Sequence, residues 1–247
     1  MKKQNPKTIR INKFLSQSGV SSRRGADVLV EDKKVKINNK IAKLGDRVDE
    51  EKDIIEVDGK IIKLTKKFIY YAINKPIGYT STVRDVNAEK LVIDLVPKEP
   101  RVYPVGRLDK DSIGLVLLTN DGDLTHKLTH PSFRHQKEYV IKFKPQTSNI
   151  KITKQYAKDL INKFIKGIKL EEGMAKFDRV EITEIDDIEN IATINVILHQ
   201  GWKRQIRRMF ERIGHKVLML ERVRIGKLNL GEIKLGKFIQ VERADII

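Results

Sequence analysis

One stretch between two apolar segments concentrates side chains that could carry chemistry. It runs from Gly106 to Leu115 as GRLDKDSIGL and places the carboxylates Asp109 and Asp111 beside the cations Arg107 and Lys110. A carboxylate that leads into a buried strand needs a partner, because an unpaired buried charge costs several kcal/mol. Two interpretations stay open at this point: a functional carboxylate paired with a cation, or a turn whose aspartates accept local main-chain N–H groups.

Two histidines are the only other residues spaced like a ligand set. His126 and His130 are four apart, so one helix face could carry both. The chain has no cysteine, which excludes disulfides and thiol catalysis, and no acidic third ligand stands at a recognised spacing. Helix capping or RNA contact is therefore predicted for them, with no metal. Gly-rich phosphate loops, kinase motifs and the Gly-x-Ser-x-Gly elbow are also missing, so no cofactor is expected.

The charge of the chain points to a polyanionic partner. Among 247 residues, 50 are Lys or Arg and 33 are Asp or Glu, a formal net charge of +17. A lysine-coated soluble protein could have the same total, but the cations are concentrated. Residues 200–227 hold nine Lys or Arg against two Glu, and six of the nine are Arg, whose planar fork suits phosphate. We therefore expect a nucleic-acid partner.

The patterning divides the chain into a small front module and a larger body. Ile11, Phe14 and Leu15 predict one short helix, and Ser21-Ser22 caps a second that buries Val28 and Leu29. Short strands at 35–37 and 54–64 complete this module. The predicted boundaries are a basic tail at 1–8, the module at 9–62, a linker at 63–67 and the body at 68–247.

The body contains six apolar strand-like runs and two amphipathic helices. Strands are predicted near 68–73, 102–105, 115–119, 139–143, 178–185 and 191–198, and helices near 154–166 and 203–213. Asn120-Asp121-Gly122 is typical of a tight turn. Because strands and helices do not alternate regularly, we predict an α+β fold with a mostly antiparallel sheet.

Both parts resemble known families. The run from Arg10 to Val48, with Gly19-Val20-Ser21-Ser22-Arg23-Arg24 inside it, resembles the RNA-binding module named after ribosomal protein S-four. The run PVGRLDKDSIGLVLLTNDGDL at 104–124 resembles the catalytic motif of pseudouridine synthases. Asn74-Lys75-Pro76, the segment 130–139 and the segment 201–226 resemble the family's other motifs in the same order. The chain is thus similar to the RsuA family of ribosomal RNA pseudouridine synthases, and within it most to the large-subunit branch.

The resemblance implies a set of site residues. It places Asp109 at the chemistry, either attacking the sugar or removing a proton from it, with Arg207 held against its carboxylate and Tyr139 stacked on the target base. Arg107, Lys137 and Leu220 would contact the substrate. The residues implied to bind RNA are basic: Lys13, Arg23, Arg24, Arg204, Arg208 and Arg212.

The activity implied is isomerisation of a uridine in ribosomal RNA, more in keeping with the large subunit than the small one, without a cofactor. A non-catalytic ribosome assembly factor on the same fold is the alternative, and a structural ribosomal protein is a third. No 18-residue apolar run exists and no signal-peptide core follows the basic start, so we expect a cytoplasmic chain without a membrane partner. A monomer is expected.

Overall fold

The computed structural model describes residues 8–64, 67–83 and 88–247. The chain forms two compact units. Phe68 is the last residue of the N-terminal unit, which also takes in Asn120–Gly122, and the second unit holds Ile69–Thr119 and Asp123–Ile247. The predicted tail falls outside the described residues except for Thr8, which begins a strand, and so does the centre of the predicted linker, 65–66.

The N-terminal unit is a small αβ module. Its elements are β1 (Thr8–Arg10), α1 (Ile11–Gln17), α2 (Arg23–Glu31), β2 (Val35–Ile37), β3 (Lys40–Ile41), β4 (Arg47–Asp49), β5 (Ile55–Val57) and β6 (Lys60–Ile62). An antiparallel sheet has the order β3-β2-β5-β6, and β1 pairs separately with β4. The two helices pack with the strands around Phe14, Leu15, Val35 and Val48.

The second helix begins where the sequence predicts and buries a different face. Ser22 is its N-cap and accepts the Gly25 N–H at 3.0 Å. The prediction that Val28 is buried is wrong, since this side chain is 52 % exposed. Leu29 is only partly buried. Ala26 and Val30 fill the core instead, because residues four apart share one helix face and that face is turned toward the module's strands.

The second unit is built on one large sheet. The strands of this sheet are β7 (Tyr70–Lys75), β8 (Tyr103–Pro104), β9 (Ile113–Thr119), β10 (Lys137–Pro145), β13 (Arg179–Asp186), β14 (Ile191–Leu198), β15 (His215–Ile225), β16 (Leu228–Asn229) and β17 (Phe238–Gln240). The strands β11 (Ile168–Leu170) and β12 (Gly173–Ala175) form a separate antiparallel pair. Its helices are α3 (Gly122–Thr129), α4 (Lys154–Lys166) and α5 (Gln205–Arg212).

The sheet has the order β13-β14-β10-β15-β9-β7-β17, with β16 added to β15 and β8 to β9. Every pairing is antiparallel except that of β9 with β15. The predicted α+β class with a mostly antiparallel sheet is confirmed.

The sheet separates two hydrophobic cores. On β9, Val116 and Leu118 enter one core, while Leu115 and Leu117 enter the other. The first core also receives α4 and α5, and the second receives α3. Because β7 and β9 are buried on both faces, their sequences are continuous apolar runs without alternation.

The predicted tight turn at residues 120–122 is wrong. Gly122 begins α3, and Asp121 before it is 2 % exposed. The Asn-Asp-Gly sequence favoured a turn over the helix that forms here. The spacing of Leu124 and Leu128, which are four apart and fill the second core, is the pattern that indicates this helix. Over the described ranges, no helix is long and apolar enough to cross a membrane.

Candidate active site

The loop that carries Asp109 lies between β8 and β9 and is fixed on both sides of this residue. Ser81 Oγ accepts the Leu108 N–H at 3.2 Å and donates to the Leu108 carbonyl at 2.9 Å, and Ser81 is 4 % exposed. On the other side, the Gly78 N–H donates to the Lys110 carbonyl at 2.8 Å. Asp109 therefore stands between two anchored residues, and it is partly exposed.

Two arginines contact Asp111: Arg204, which is the N-cap of α5, and Arg207, which lies within this helix. Arg204 forms a two-point ion pair with its carboxylate, with N–O distances of 3.0 and 3.1 Å. Arg207 Nε lies 3.3 Å from the same carboxylate, and Arg207 Nη2 donates to the Asp111 carbonyl at 2.8 Å. Burial raises the pKa of the Asp111 carboxyl, but the bonds from Arg204 and the charge of Arg207 outweigh it, so the pKa lies below its ordinary value.

This arrangement corrects the pairing that the resemblance implies. Arg207 is held against Asp111 and not against Asp109. The physical reason is in the loop: Asp111 and Ser112 are its last two residues before β9, and Ser112, which is fully buried, receives a further bond from Arg207 at 3.3 Å. Arg207 also donates to the Val217 carbonyl on β15, so its head is positioned from three sides.

Asp109 carries the other carboxylate of this loop. Within the described part of the chain it forms no ion pair and accepts no side-chain hydrogen bond. It nevertheless interacts electrostatically with Lys75, Arg204 and Arg207. A carboxylate set among cations, yet not bound by any of these, can meet a ligand.

Lys75 lies beneath this loop and is fully buried. Its Nζ donates to the carbonyls of Pro76 and Tyr79 at 2.9 and 3.1 Å. Burial lowers its pKa to about 8; the carboxylates Asp111 and Asp109 oppose this, and the charge of Arg222 adds to it. The continuous apolar run at 68–73, which ends just before it, was the signal that this lysine enters the core.

Arg222 is the second buried cation that the sequence did not single out. It is 2 % exposed and donates to the carbonyls of Leu115 at 2.8 Å and Arg107 at 3.3 Å. Its Nη2 has no hydrogen-bond partner among the described residues. Arg222 thus joins β15 to β9 and to the loop carrying Asp109. Its position two residues after Leu220 on the same strand was the available signal.

Tyr139 and Leu220 line one face of the sheet. In the pairing of β10 with β15, Tyr139 lies opposite Arg222, and Ile141 lies opposite Leu220. Tyr139 is 8 % exposed and Leu220 4 % exposed, and both belong to the first core. Lys137 is two residues before Tyr139, and burial together with the charge of Arg222 lowers its pKa. Arg107 is exposed.

The three arginines predicted as a phosphate-binding row have different surroundings. Arg204 is engaged by Asp111, as described above. Arg208 forms a two-point ion pair with Glu172 at 3.0 and 2.7 Å. Arg212 is exposed and lines a cleft with Lys169 and Glu211.

The cations predicted in the front module lie on and around its two helices. Lys13 is on α1, and Arg23 and Arg24 are the first two residues of α2, both exposed. Arg23 donates to Asn12 at 3.4 Å, and Asn12 in turn donates to Asp27 at 2.9 Å. This bond sets Arg23 beside α1.

His130 contributes to the local structure after α3. His130 Nδ1 accepts the Ser132 N–H at 3.3 Å and so caps the turn Pro131–Phe133, which agrees with the predicted capping role. Across residues 8–64, 67–83 and 88–247, no group of three or more His, Asp or Glu side chains could hold a metal ion.

Comparison with known proteins identifies the class that this fold and loop define. Residues 69–212 match the family described as RNA pseudouridylate synthase, and residues 9–55 match the S4 domain. A solved structure of a pseudouridylate synthase superimposes with a TM-score of 0.63 at 25 % identity, covering 96 % of this chain and 97 % of that one.

Three curated relatives extend the match over nearly the whole chain. An uncharacterized RNA pseudouridine synthase of Aquifex aeolicus is 37 % identical, covering 96 % of this chain and 92 % of the relative. Ribosomal large subunit pseudouridine synthase B of Bacillus subtilis is 38 % identical, covering 92 % of this chain and 89 % of the relative. Dual-specificity RNA pseudouridine synthase RluF of Escherichia coli is 35 % identical, covering 97 % of this chain and 78 % of the relative. The chain belongs to the RNA pseudouridine synthase family, whose members are isomerases, as the sequence predicts.

Proposed function

We propose that this enzyme converts one uridine of ribosomal RNA, in the large subunit, to pseudouridine, with Asp109 as the catalytic carboxylate. The observation that carries the proposal is the division of labour between two aspartates. Asp111 pairs with Arg204 and Arg207, whereas Asp109 is held in place by its neighbours and keeps its carboxylate for a ligand. The relatives named for large-subunit RNA and for dual specificity support the substrate class.

The reaction needs no redox partner or group donor. The bond between the ribose C1′ and the uracil N1 breaks, the base turns, and a bond forms between C1′ and C5. The proton on C5 leaves to a base or to water and N1 takes up a proton, so the product is an isomer of the substrate. Asp109 starts this sequence either by attacking C1′ or by removing a ribose proton. Both roles need an ionised carboxylate.

The neighbouring residues have roles in holding the nucleotide. Tyr139 stacks on the target base, and Leu220 packs against the base from the adjacent strand. Lys137 and Arg107 contact flanking phosphates. Arg207 holds the Asp109 loop through Asp111. A base in folded RNA must leave its stack to reach this site, so we propose base flipping.

The wider RNA contacts come from both units. Lys13, Arg23 and Arg24 bind the RNA backbone through the S4 domain, and Arg204, Arg208 and Arg212 do so through α5. The ion pairs of Arg204 and Arg208 make these two the weaker contributors, since each must exchange a carboxylate for a phosphate. The proposed ribosomal RNA substrate supports a cytoplasmic location, and we propose that the enzyme acts as a monomer.

Pseudouridine mapping of ribosomal RNA tests the proposal. RNA from cells that carry the gene, lack it, or carry Asp109→Asn is treated with a pseudouridine-specific reagent and read by primer extension. We expect one large-subunit site that is present only with the intact gene. Identical maps in all three strains would favour the non-catalytic assembly factor, and a site that survives Asp109→Asn would remove this residue from the chemistry.

A further inference from the structure

A cluster of four ring side chains lies on the surface of the catalytic unit. The ring centroids of His126 and His130 are 4.9 Å apart, and Phe133 lies 5.8 Å from the first and 6.2 Å from the second. His135 stacks on Phe133 at 6.4 Å with an interplanar angle of 27°. We call these four residues the ring platform. His126, His130 and Phe133 are exposed, and Phe133 keeps 46 % of its surface in water.

Local structure holds the ring platform in place. His126 is on α3 and His130 directly follows this helix, where its N–H still donates to the His126 carbonyl at 2.9 Å and keeps the two rings close. The bond from the Ser132 N–H to His130 fixes the turn that follows, and Arg134 has a left-handed backbone (φ 49°), which reverses the chain so that His135 returns to Phe133. A non-glycine residue in this conformation is uncommon, so the reversal is a built feature and not a loose loop.

The ring platform lies beside the loop that carries Asp109. Thr129, the last residue of α3, lies next to Gly106, since a Cβ on Gly106 would be 3.6 Å from the Thr129 methyl group. On the other side, the Gln136 carbonyl accepts the Gly226 N–H at 2.9 Å, and the next residue, Lys137, begins β10. The segment 126–135 therefore approaches the loop of Asp109 at Thr129 and leads into the strand that carries Tyr139.

The chemistry of this segment fits single-stranded RNA. No acidic residue occurs between Asp123 and Glu138, while Lys127 and Arg134 are exposed cations next to the rings. Exposed ring faces flanked by cations bind unpaired nucleobases by stacking while the cations meet the phosphates. An apolar protein partner would be expected to cover an aliphatic patch, and the exposed members here are imidazoles around one phenyl ring.

We infer that the ring platform is a nucleobase-binding site, distinct from the pocket of the target uridine, which stacks an unpaired base flanking that uridine. This inference rests on the proposed RNA substrate. Its role would be to hold the strand open next to the flipped nucleotide, where a neighbouring base has lost its stacking partner.

Binding of defined oligomers tests the inference without turnover. The probes are a single-stranded uridine decamer and a decamer of the same backbone without bases, both titrated by fluorescence anisotropy. We expect Phe133→Ala to weaken binding of the uridine decamer by about 5-fold or more, and of the abasic decamer hardly at all. Phe133→Tyr should bind both probes like the unaltered protein. Phe68→Ala, which removes a phenyl ring of similar exposure (41 %) in the other unit, is the matched control.

A local reporter keeps the inference testable if Phe133→Ala does not fold. The chain has one tryptophan, Trp202, so the double variant Phe133→Trp, Trp202→Phe carries a single indole in the platform. We expect the uridine decamer, and not the abasic one, to quench its fluorescence. Equal loss of affinity for both decamers, no loss for either, or no quenching would overturn the inference. Neither assay involves turnover, so failure of the platform and failure of the proposed catalysis are separable.

Discussion

Arg207 and Asp111 are joined at two points, although 96 residues separate them in the sequence. Arg207 Nη2 donates to the Asp111 carbonyl at 2.8 Å, and Arg207 Nε lies 3.3 Å from the Asp111 carboxylate. Because the first contact uses the main chain, the arginine fixes the course of the loop and not only a side chain. Asp109 is two residues earlier on that loop, so its position depends on this joint.

Asp111→Asn should loosen the joint and slow the reaction. The variant keeps the shape of the side chain but leaves the charges of Arg204 and Arg207 without their carboxylate. We expect kcat to fall about 10- to 100-fold, because small displacements of a reacting group cost that much. Single-turnover kinetics on the mapped RNA would measure it. Asp187→Asn, at an exposed site, is the control, and an unchanged kcat for Asp111→Asn would contradict the argument.

The same variant carries a pH signature in stability. Since the pKa of Asp111 is lower in the folded protein than in the unfolded chain, the carboxylate stabilises the fold above its unfolded pKa, about 3.9. This contribution is lost as the pH falls through the folded pKa. Urea unfolding should therefore show a difference between the unaltered protein and Asp111→Asn at pH 7 that shrinks below about pH 4. A difference that stays constant with pH would indicate altered packing instead.

Lys75 should impose a pH dependence of the same sense, but in an alkaline window. Its pKa is lowered from 10.5 to about 8 in the folded protein, so between these values the unfolded chain binds the proton and the folded chain does not. The free energy of unfolding contributed by this group therefore rises with pH across that window, by roughly 3 kcal/mol in total. Urea unfolding of Lys75→Met should lack this rise, whatever stability it loses with the bonds to Pro76 and Tyr79. Lys216→Met, which removes an exposed lysine, should keep the rise, and its presence in Lys75→Met would place the titration elsewhere.

The sequence was informative where local patterns decide the structure. Strand β9 follows from its continuous apolar run, and the Ser22 cap follows from residue type. The partner of Arg207 could not be predicted in this way. Two aspartates stand two residues apart, and which of them meets α5 depends on how a helix 90 residues away packs on the sheet.

The burial of Lys75 and Arg222 could not be predicted from their residue types. A lysine or arginine is usually exposed, so Lys75 and Arg222 gave no signal by their type. Both can be buried because main-chain carbonyls in and next to the strands accept hydrogen bonds from them. Such acceptors exist only once the strands are assembled, and a single sequence does not display them.

RNA binding by the front module should depend on salt through Arg23 and Arg24. If each cation meets one phosphate, its removal lowers the slope of log K against log salt by about 0.7 to 0.9. We expect the double variant Arg23→Gln, Arg24→Gln to reduce the slope by about 1.5 on a fragment carrying the mapped uridine. Lys40→Gln with Lys60→Gln, which removes two exposed lysines from β3 and β6 of the same unit, is the charge-matched control. Equal slopes for the two double variants would show that the net charge, and not the helical face, attracts the RNA.

Gly114 is required where the two parallel strands meet. It pairs with Arg222, and a Cβ at this position would overlap the Arg222 carbonyl oxygen and lie 2.7 Å from the Arg222 nitrogen. Its φ of +106° is also unfavourable for any side chain. Gly114→Ala should therefore separate β9 from β15 and destabilise the protein by roughly 2 to 4 kcal/mol.

The expected loss of activity in Gly114→Ala follows from the same contact. Displacing the Arg222 main chain moves the side chain that bonds to the carbonyls of Leu115 and Arg107, and hence the loop that holds Asp109. Gly214→Ala isolates this effect, since Gly214 has a similar left-handed backbone (φ +78°) with open space around its Cβ position. That variant should cost about 1 to 2 kcal/mol and retain activity. Thermal unfolding and turnover of the two variants at a temperature where both are folded would measure the difference, and equal losses would assign the effect to backbone strain rather than to the strand contact.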